Sequence, residues 1–492
     1  MGLFSYFNSV QRCSQACDCA VTTRIERDPL GELAVPQSSL YGIQTERARE
    51  NFPISGLHPL PAFVNGIVWI KKAAALTHKA TGRLDDRLAE AIVTAADEIL
   101  AGEHRDQFVV DPYQAGAGTS HNMNANEVIA NRANELLGGR RGSYVPVHPN
   151  DHVNMAQSTN DAIPTALRLA ALSLLPNLLA SMRELAHGLL DKGREFDHIV
   201  KSGRTHLQDA TPIRLGQEFT GYGHTVERNV ERLLGAAQWL RELNIGGSAV
   251  GTGLNVEPDY PAMMIQHLSE ITGFELREGK DRVQLMQSMG DFAAFSALNR
   301  AYAGDLANIA DNIRLLASGP RTGLAEISVP AVQPGSSIMP GKVNPSIAEM
   351  VNMVCFQVMG NDHAVGLAAQ SGELELNVMM PVIAHNLLFS MDILANASRM
   401  LAQRCVAGIT ADEAQCTYWL ERSPAIATAL APMIGYVEAA KLAKEAVERN
   451  MTIRELVAQK GILTSEELTR VLDVRAMTEP GVPVYRSAPP KD

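Results

Sequence analysis

Between Gly335 and Glu349 the chain reads GSSIMPGKVNPSIAE, which places hydroxyls, an amine, an amide and a carboxylate inside an otherwise apolar, helical region. Gly335, Ser336 and Ser337 suggest a mobile loop, and Pro340 and Pro345 stiffen its far side. Lys342 and Asn344 can present a charge and an amide to one anionic ligand.

Three further polar stretches interrupt the helical pattern. In QAGAGTSHNMNANEV (114–128), Thr119, Ser120 and several Asn side chains follow a glycine-rich turn into a helix, a suitable cradle for a carboxylate. In NDHVNMAQSTNDAIP (150–164), Ser158, Thr159 and Asn160 stack donors at the start of a long helix, where capping alone would also explain them. In SGRTHLQDATP (202–212), Thr205 and His206 stand beside charged residues, and a lone His is usually a surface group or a satisfied core group. The GAG at 116–118 lacks the third glycine and βαβ setting of a dinucleotide site, and no GxxxxGK[ST] occurs.

The elements that position these stretches are mostly helices. Residues 20–60, rich in Pro, Gly and turn formers, are expected to be irregular. Apolar periodicity gives helix from Ala62 to about Leu100, and long helices over 161–195, 213–243, 282–318 and 346–404, the last in more than one piece. Pro176 predicts a kink. The 161–195 segment is apolar nearly all round, so it needs cover on several sides, and an oligomer follows. From about 411 the helices shorten, with a capping box at Thr464 and Glu467 and a stop at Gly461. The expected domains are an extension (1–22), a first domain (23–156), a central helix bundle (157–410) and a small helical domain (411–492), ending in an unstructured tail.

Composition narrows the partners. A net charge of −11 argues against nucleic acid or an anionic membrane, and no window holds the ~18–20 uninterrupted apolar residues of a membrane span. The N-terminus lacks an export signal, and Tyr6 breaks the myristoylation pattern after Gly2, so a cytoplasmic protein is expected. Cys355, Cys405 and Cys416 read as buried free thiols. Cys13, Cys17 and Cys19 form a C-x3-C-x-C cluster without the second half of a metal site.

GSSIMPGKVNP resembles the signature of the aspartase/fumarase superfamily, and all four stretches follow in that family's order from about residue 24 to 480. The resemblance implies an all-α, three-domain fold whose central helices form a twenty-helix core in a homotetramer, with each site built by three subunits. It implies release of fumarate from a small dicarboxylate without metal or covalent cofactor. Ser336 matches the family's base, and Lys342 and Asn344 match the holders of the carboxylate next to the abstracted proton. Thr119, Ser158, Thr159, Asn160 and Ser337 match substrate-binding positions, Thr205 and His206 a pair touching substrate, and Glu349 the carboxylate orienting the His. GAGTS, QSTN and LQDA resemble the aspartase branch, whereas Gly341 and Met380 depart from it. Ammonia elimination from L-aspartate is therefore the expected reaction. Hydration of fumarate to malate is the alternative, and an amine lyase acting on N-substituted aspartate comes third.

Overall fold

The computed structural model describes residues 22–481, and it is mainly helical. The clusters at Cys13, Cys17 and Cys19 and the tail after Gly481 lie outside the described residues. The chain divides into two units. The first comprises the described residues up to Ser173, Trp239–Phe292 and Val365–Leu388; the second comprises Leu174–Gln238, Ala293–Ala364 and the described residues from Phe389.

The opening segment is more regular than its composition suggests. Strands β1 (Thr23–Asp28) and β2 (Gly31–Pro36) form an antiparallel hairpin, and α1 (Ile43–Asn51) follows. Side chains, not an apolar pattern, build it. The Arg24 guanidinium donates to Glu26 and to the carbonyls of Pro36, Ser39 and Tyr41, at 2.7 to 2.8 Å. Arg47 on α1 grips Asp28 with two bonds of 2.8 and 2.9 Å. No side chain caps α1 from its own N-cap position. Instead the buried Glu127 carboxylate accepts from the backbone N–H groups of Gly42, Gln44 and Thr45 and from the Thr45 hydroxyl.

Helix α2 (Pro61–Ala80) starts on a proline at N1, and α3 (Asp86–Leu100) is capped by Asp85, which accepts from Arg87 and Leu88. Both match the expected helical stretch. Helix α4 (Thr119–Leu136) buries Asn124, Asn131 and Asn134, whose amides replace backbone partners for the loops around it. Asn134 exchanges two bonds of 2.8 Å with Val147, and Asn124 pairs with Gln107 and Val109.

Helix α5 (Thr159–Glu195) runs 37 residues through Pro176. Although Arg168 interrupts its apolar run, an 18-residue window has the length and composition of a membrane span, and 78% of that window is buried inside the protein. That surface is already covered. Strands β3 (Val200–Thr205) and β4 (Gln208–Arg214) form a hairpin with an irregularity between Ser202 and Gly203. Helix α6 (Leu215–Ala236) is shorter than the expected 213–243, and α7 (Tyr260–Thr272) follows. The expected 282–318 helix is two, α8 (Arg282–Gln287) and α9 (Gly290–Leu316), because Ser288 turns extended and its hydroxyl accepts from Gly290. Helices α10 (Ser346–Gln370) and α11 (Met380–Arg404) divide the 346–404 stretch.

Shorter helices α12 (Glu413–Arg422), α13 (Ala431–Ile434), α14 (Tyr436–Glu448), α15 (Ile453–Lys460) and α16 (Ser465–Val471) surround an apolar cluster that includes Leu430, Leu456 and Leu472. Thr464 and Glu467 form the expected capping box, and Gly461, at φ +63°, ends α15. Cys355, Cys405 and Cys416 are buried and free, with burial pushing each thiol up, to about 12, 11 and 12.

Candidate active site

In the first unit the glycine-rich turn before α4 carries positive φ at Ala117 and Gly118, and Ala117 N–H donates to Val378 O at 2.8 Å. Gly118 occupies the N-cap without a side chain, so the helix start is left to Thr119, which is exposed. Ser158, Thr159 and Asn160 lie half-buried at the head of α5. The capping role is present there, because Ser158 Oγ accepts from Asn160 N–H at 3.2 Å. The Asn160 amide donates to Ala249 O at 2.8 Å. Beneath this turn, the buried Asp161 carboxylate accepts from the N–H groups of Ser158, Gly246 and Ser248 at 2.9, 3.0 and 2.9 Å. Burial pushes its carboxyl up to about 6, against those three donors and Lys71.

Lys71, fully buried on α2, donates to Asn122 Oδ1 at 2.7 Å, Asn154 Oδ1 at 3.0 Å and Gln157 Oε1 at 2.8 Å. Burial pulls this amine towards losing its proton and Asp161 opposes it. Three acceptor oxygens around one nitrogen suit the charged form. His121 stacks on Phe63 with ring centroids 4.3 Å apart, and burial pushes it down to about 4, so it is a neutral ring at pH 7.

In the second unit Ser336, Lys342 and Asn344 share one loop. Gly335 N–H donates to Lys342 O at 2.8 Å, and the Asn344 amide donates to Gly335 O at 2.7 Å, closing the loop on itself. A Cβ on Gly335 would meet Lys342 O at 2.4 Å, so only glycine permits the closure. Inside it, the Ser336 hydroxyl oxygen accepts from Ile338 N–H at 3.1 Å and Met339 N–H at 2.9 Å. Ser337, Ile338, Met339 and Lys342 are exposed.

Thr205 and His206 occupy the tip of the β3–β4 hairpin, where Thr205 pairs with Gln208 across a two-residue turn. His206 and Leu207 both take the left-handed region, at φ +58° and +61°, which this turn type requires and which Asn-Gly usually supplies. Holding two side-chain-bearing residues there costs roughly 1–2 kcal/mol each. Both side chains are exposed. Among the described residues no hydrogen bond joins His206 to Glu349, which lies half-buried in the first turn of α10. Glu98, Glu103 and His104 could converge on a cation, but Arg132 already holds Glu98 with bonds of 2.5 and 2.8 Å.

The family described as Lyase matches residues 31–360, and the fumarase C C-terminus matches 426–479. This chain belongs to the aspartase/fumarase superfamily of lyases. An aspartate ammonia-lyase of Bacillus subtilis is 48% identical over 459 residues, 93% of this chain and 97% of that protein. A class II fumarate hydratase of Halobacterium salinarum is 51% identical over 460 residues, 93% and 98% of the two chains. The crystal structure of a fumarate lyase:delta crystallin from Brucella melitensis superposes with a TM-score of 0.90 at 48% identity, covering 93% of this chain and all of that one.

Four buried residues of this lyase support the polar stretches: Asn122, one of the Asn side chains already read after the glycine-rich turn, and Lys71, Asp161 and Glu326, which the sequence did not single out. Glu326 accepts from Arg204 at 2.9 and 3.0 Å and from Lys201 at 3.1 Å under the His206 hairpin. A signal existed for Lys71. It falls in helical phase with Ile67, Ala74 and His78, all buried, so a cation stands on the buried stripe of α2.

Proposed function

We propose that the protein is an aspartate ammonia-lyase converting L-aspartate reversibly to fumarate and ammonia. The observation that supports Ser336 as the base is the pair of N–H groups on its Oγ, from Ile338 and Met339, which would stabilise an alkoxide. Relatives named as aspartate ammonia-lyases support ammonia as the leaving group. Ser336 removes a proton from the carbon beside one carboxylate, whose dianionic form Lys342 and Asn344 hold. The C–N bond then breaks, the ammonium leaves as neutral ammonia and the electron pair closes the double bond. Thr119, Ser158, Thr159, Asn160 and Ser337 bind the dicarboxylate, together with Thr205 and His206. Ammonia needs no general acid on leaving, and GAGTS, QSTN and LQDA fit that branch. Gly341, and relatives named as fumarate hydratases at similar identity, favour fumarate hydration as the second reading.

The working form is a homotetramer. Met353, Phe356 and Leu367 stand 67%, 63% and 50% exposed on α10, with Gly360 and His363 between them at heptad spacing. An apolar seam of this kind calls for a partner helix, and assembly would bring Glu349 of one subunit to His206 of another.

Ultraviolet absorbance of fumarate on mixing with L-aspartate, and separately with L-malate, tests the choice of substrate. Ser336→Ala should lower turnover about 10²–10⁴-fold, the usual contribution of a general base, with an unchanged melting temperature. Near-normal turnover would make another residue the base, His206 first.

A further inference from the structure

A chain of hydrogen bonds in the first unit sets the direction of the Thr159 hydroxyl. An ammonium has three donors and no acceptor, so Lys71 can face only oxygens. That fixes the Asn122 side chain, with Oδ1 turned to Lys71 at 2.7 Å and the amide NH2 turned away. The two amide hydrogens then go to Asn154 Oδ1 at 3.1 Å and to Thr159 Oγ1 at 3.4 Å. Thr159 accepts from the interior, and its own hydrogen must leave in another direction, from a half-buried position beside Ser158 and Asn160. We propose that Lys71 and Asn122 are positioning residues which commit the Thr159 hydroxyl to act as a hydrogen-bond donor to a substrate carboxylate. The proposal rests on the activity reading above, because it takes Thr159 as a substrate-binding residue.

A donor to a substrate carboxylate acts in the transition state as well as in the ground state, so its loss should appear in kcat/KM. Asn122→Asp keeps the shape and pairs with Lys71, but it turns an oxygen towards Thr159 and draws the hydroxyl hydrogen inward. kcat/KM should fall about 30–100-fold, the weight of a hydrogen bond to a charged group. In a Thr159→Val background the same substitution should change kcat/KM less than about 3-fold, since no hydroxyl remains to turn. A purely structural Asn122 would add its full effect there and would lower the melting temperature as well.

If Asn122→Asp does not fold, Asn122→Ala carries the same cycle. It frees the hydroxyl instead of reversing it, with an expected fall in kcat/KM of about 10-fold. Additive effects in the cycle, or an unchanged kcat/KM in both Asn122 variants, would overturn the relay while leaving the activity reading intact. Wild-type protein that forms fumarate from neither L-aspartate nor L-malate would overturn that reading and the relay with it. Turnover of L-malate alone would refute ammonia elimination only, and the cycle run on malate would decide the relay.

Discussion

Removing the Glu326 carboxylate should loosen the hairpin that carries Thr205 and His206. Glu326 is fully buried and receives Lys201 and Arg204, both from β3, with Arg204 adjoining Thr205. Breaking a buried ion pair by deleting one partner typically costs about 3–5 kcal/mol. The lower end applies, because Lys201 keeps Glu218 at 2.9 Å and the 14%-exposed Arg204 side chain can rehydrate. About 3 kcal/mol corresponds to roughly a 10²-fold change in an equilibrium constant. Hydrogen exchange followed by mass spectrometry should therefore show the β3–β4 amides exchanging about 10²-fold faster in Glu326→Ala. Glu326→Gln retains one acceptor for Arg204 and should fall near 10-fold, half the free-energy cost. Fumarate formation should drop in the same order as the hairpin loosens. Exchange in β3–β4 within about 3-fold of wild type in Glu326→Ala would refute the reasoning.

Light scattering should report a tetramer, and Phe356→Asp should give smaller, inactive species; an active monomer would end the shared-site account. Mixing inactive Ser336→Ala with inactive His206→Ala subunits should restore part of the activity. The Arg47 hydrogen bond holds the Asp28 carboxyl below the usual carboxylate range, so its contribution is complete above that range and is lost as pH falls through the lowered value. Urea unfolding should accordingly show Arg47→Ala less stable than wild type near neutrality, with the difference shrinking in acid; a difference constant with pH would contradict the pairing. Cys355, Cys405 and Cys416, buried and with raised thiols, should resist a maleimide reagent until denaturant is added, as mass spectrometry of the labelled protein would show.

What was legible in the sequence was whatever repeats or caps locally. The helices were, because apolar periodicity marks α5 and α10, and Thr464 with Glu467 announces α16 within four residues. Ser336, Lys342 and Asn344 were also legible, since one loop holds them all. The opening hairpin was not, because Arg24 builds it by reaching carbonyls 12 to 17 residues away and no apolar alternation marks it. The supports were equally hidden. Lys71 meets Asn122 51 residues on, and Arg204 meets Glu326 122 residues on, so neither pair has a local pattern. Polar groups that earn their burial through distant partners look like surface residues until the partners are placed.

The interleaving of the two units has a consequence for how the chain comes off the ribosome. Neither unit is contiguous, and the first is not complete until Leu388 has been made. At about 5–20 residues per second, synthesis to that point takes roughly 20–80 s. Throughout that interval the turn before α4 lacks one of its last partners, the Val378 carbonyl that receives Ala117. An N-terminal unit that closes only after most of the chain has been made leaves its apolar surface open to other chains for longer than a sequential domain would.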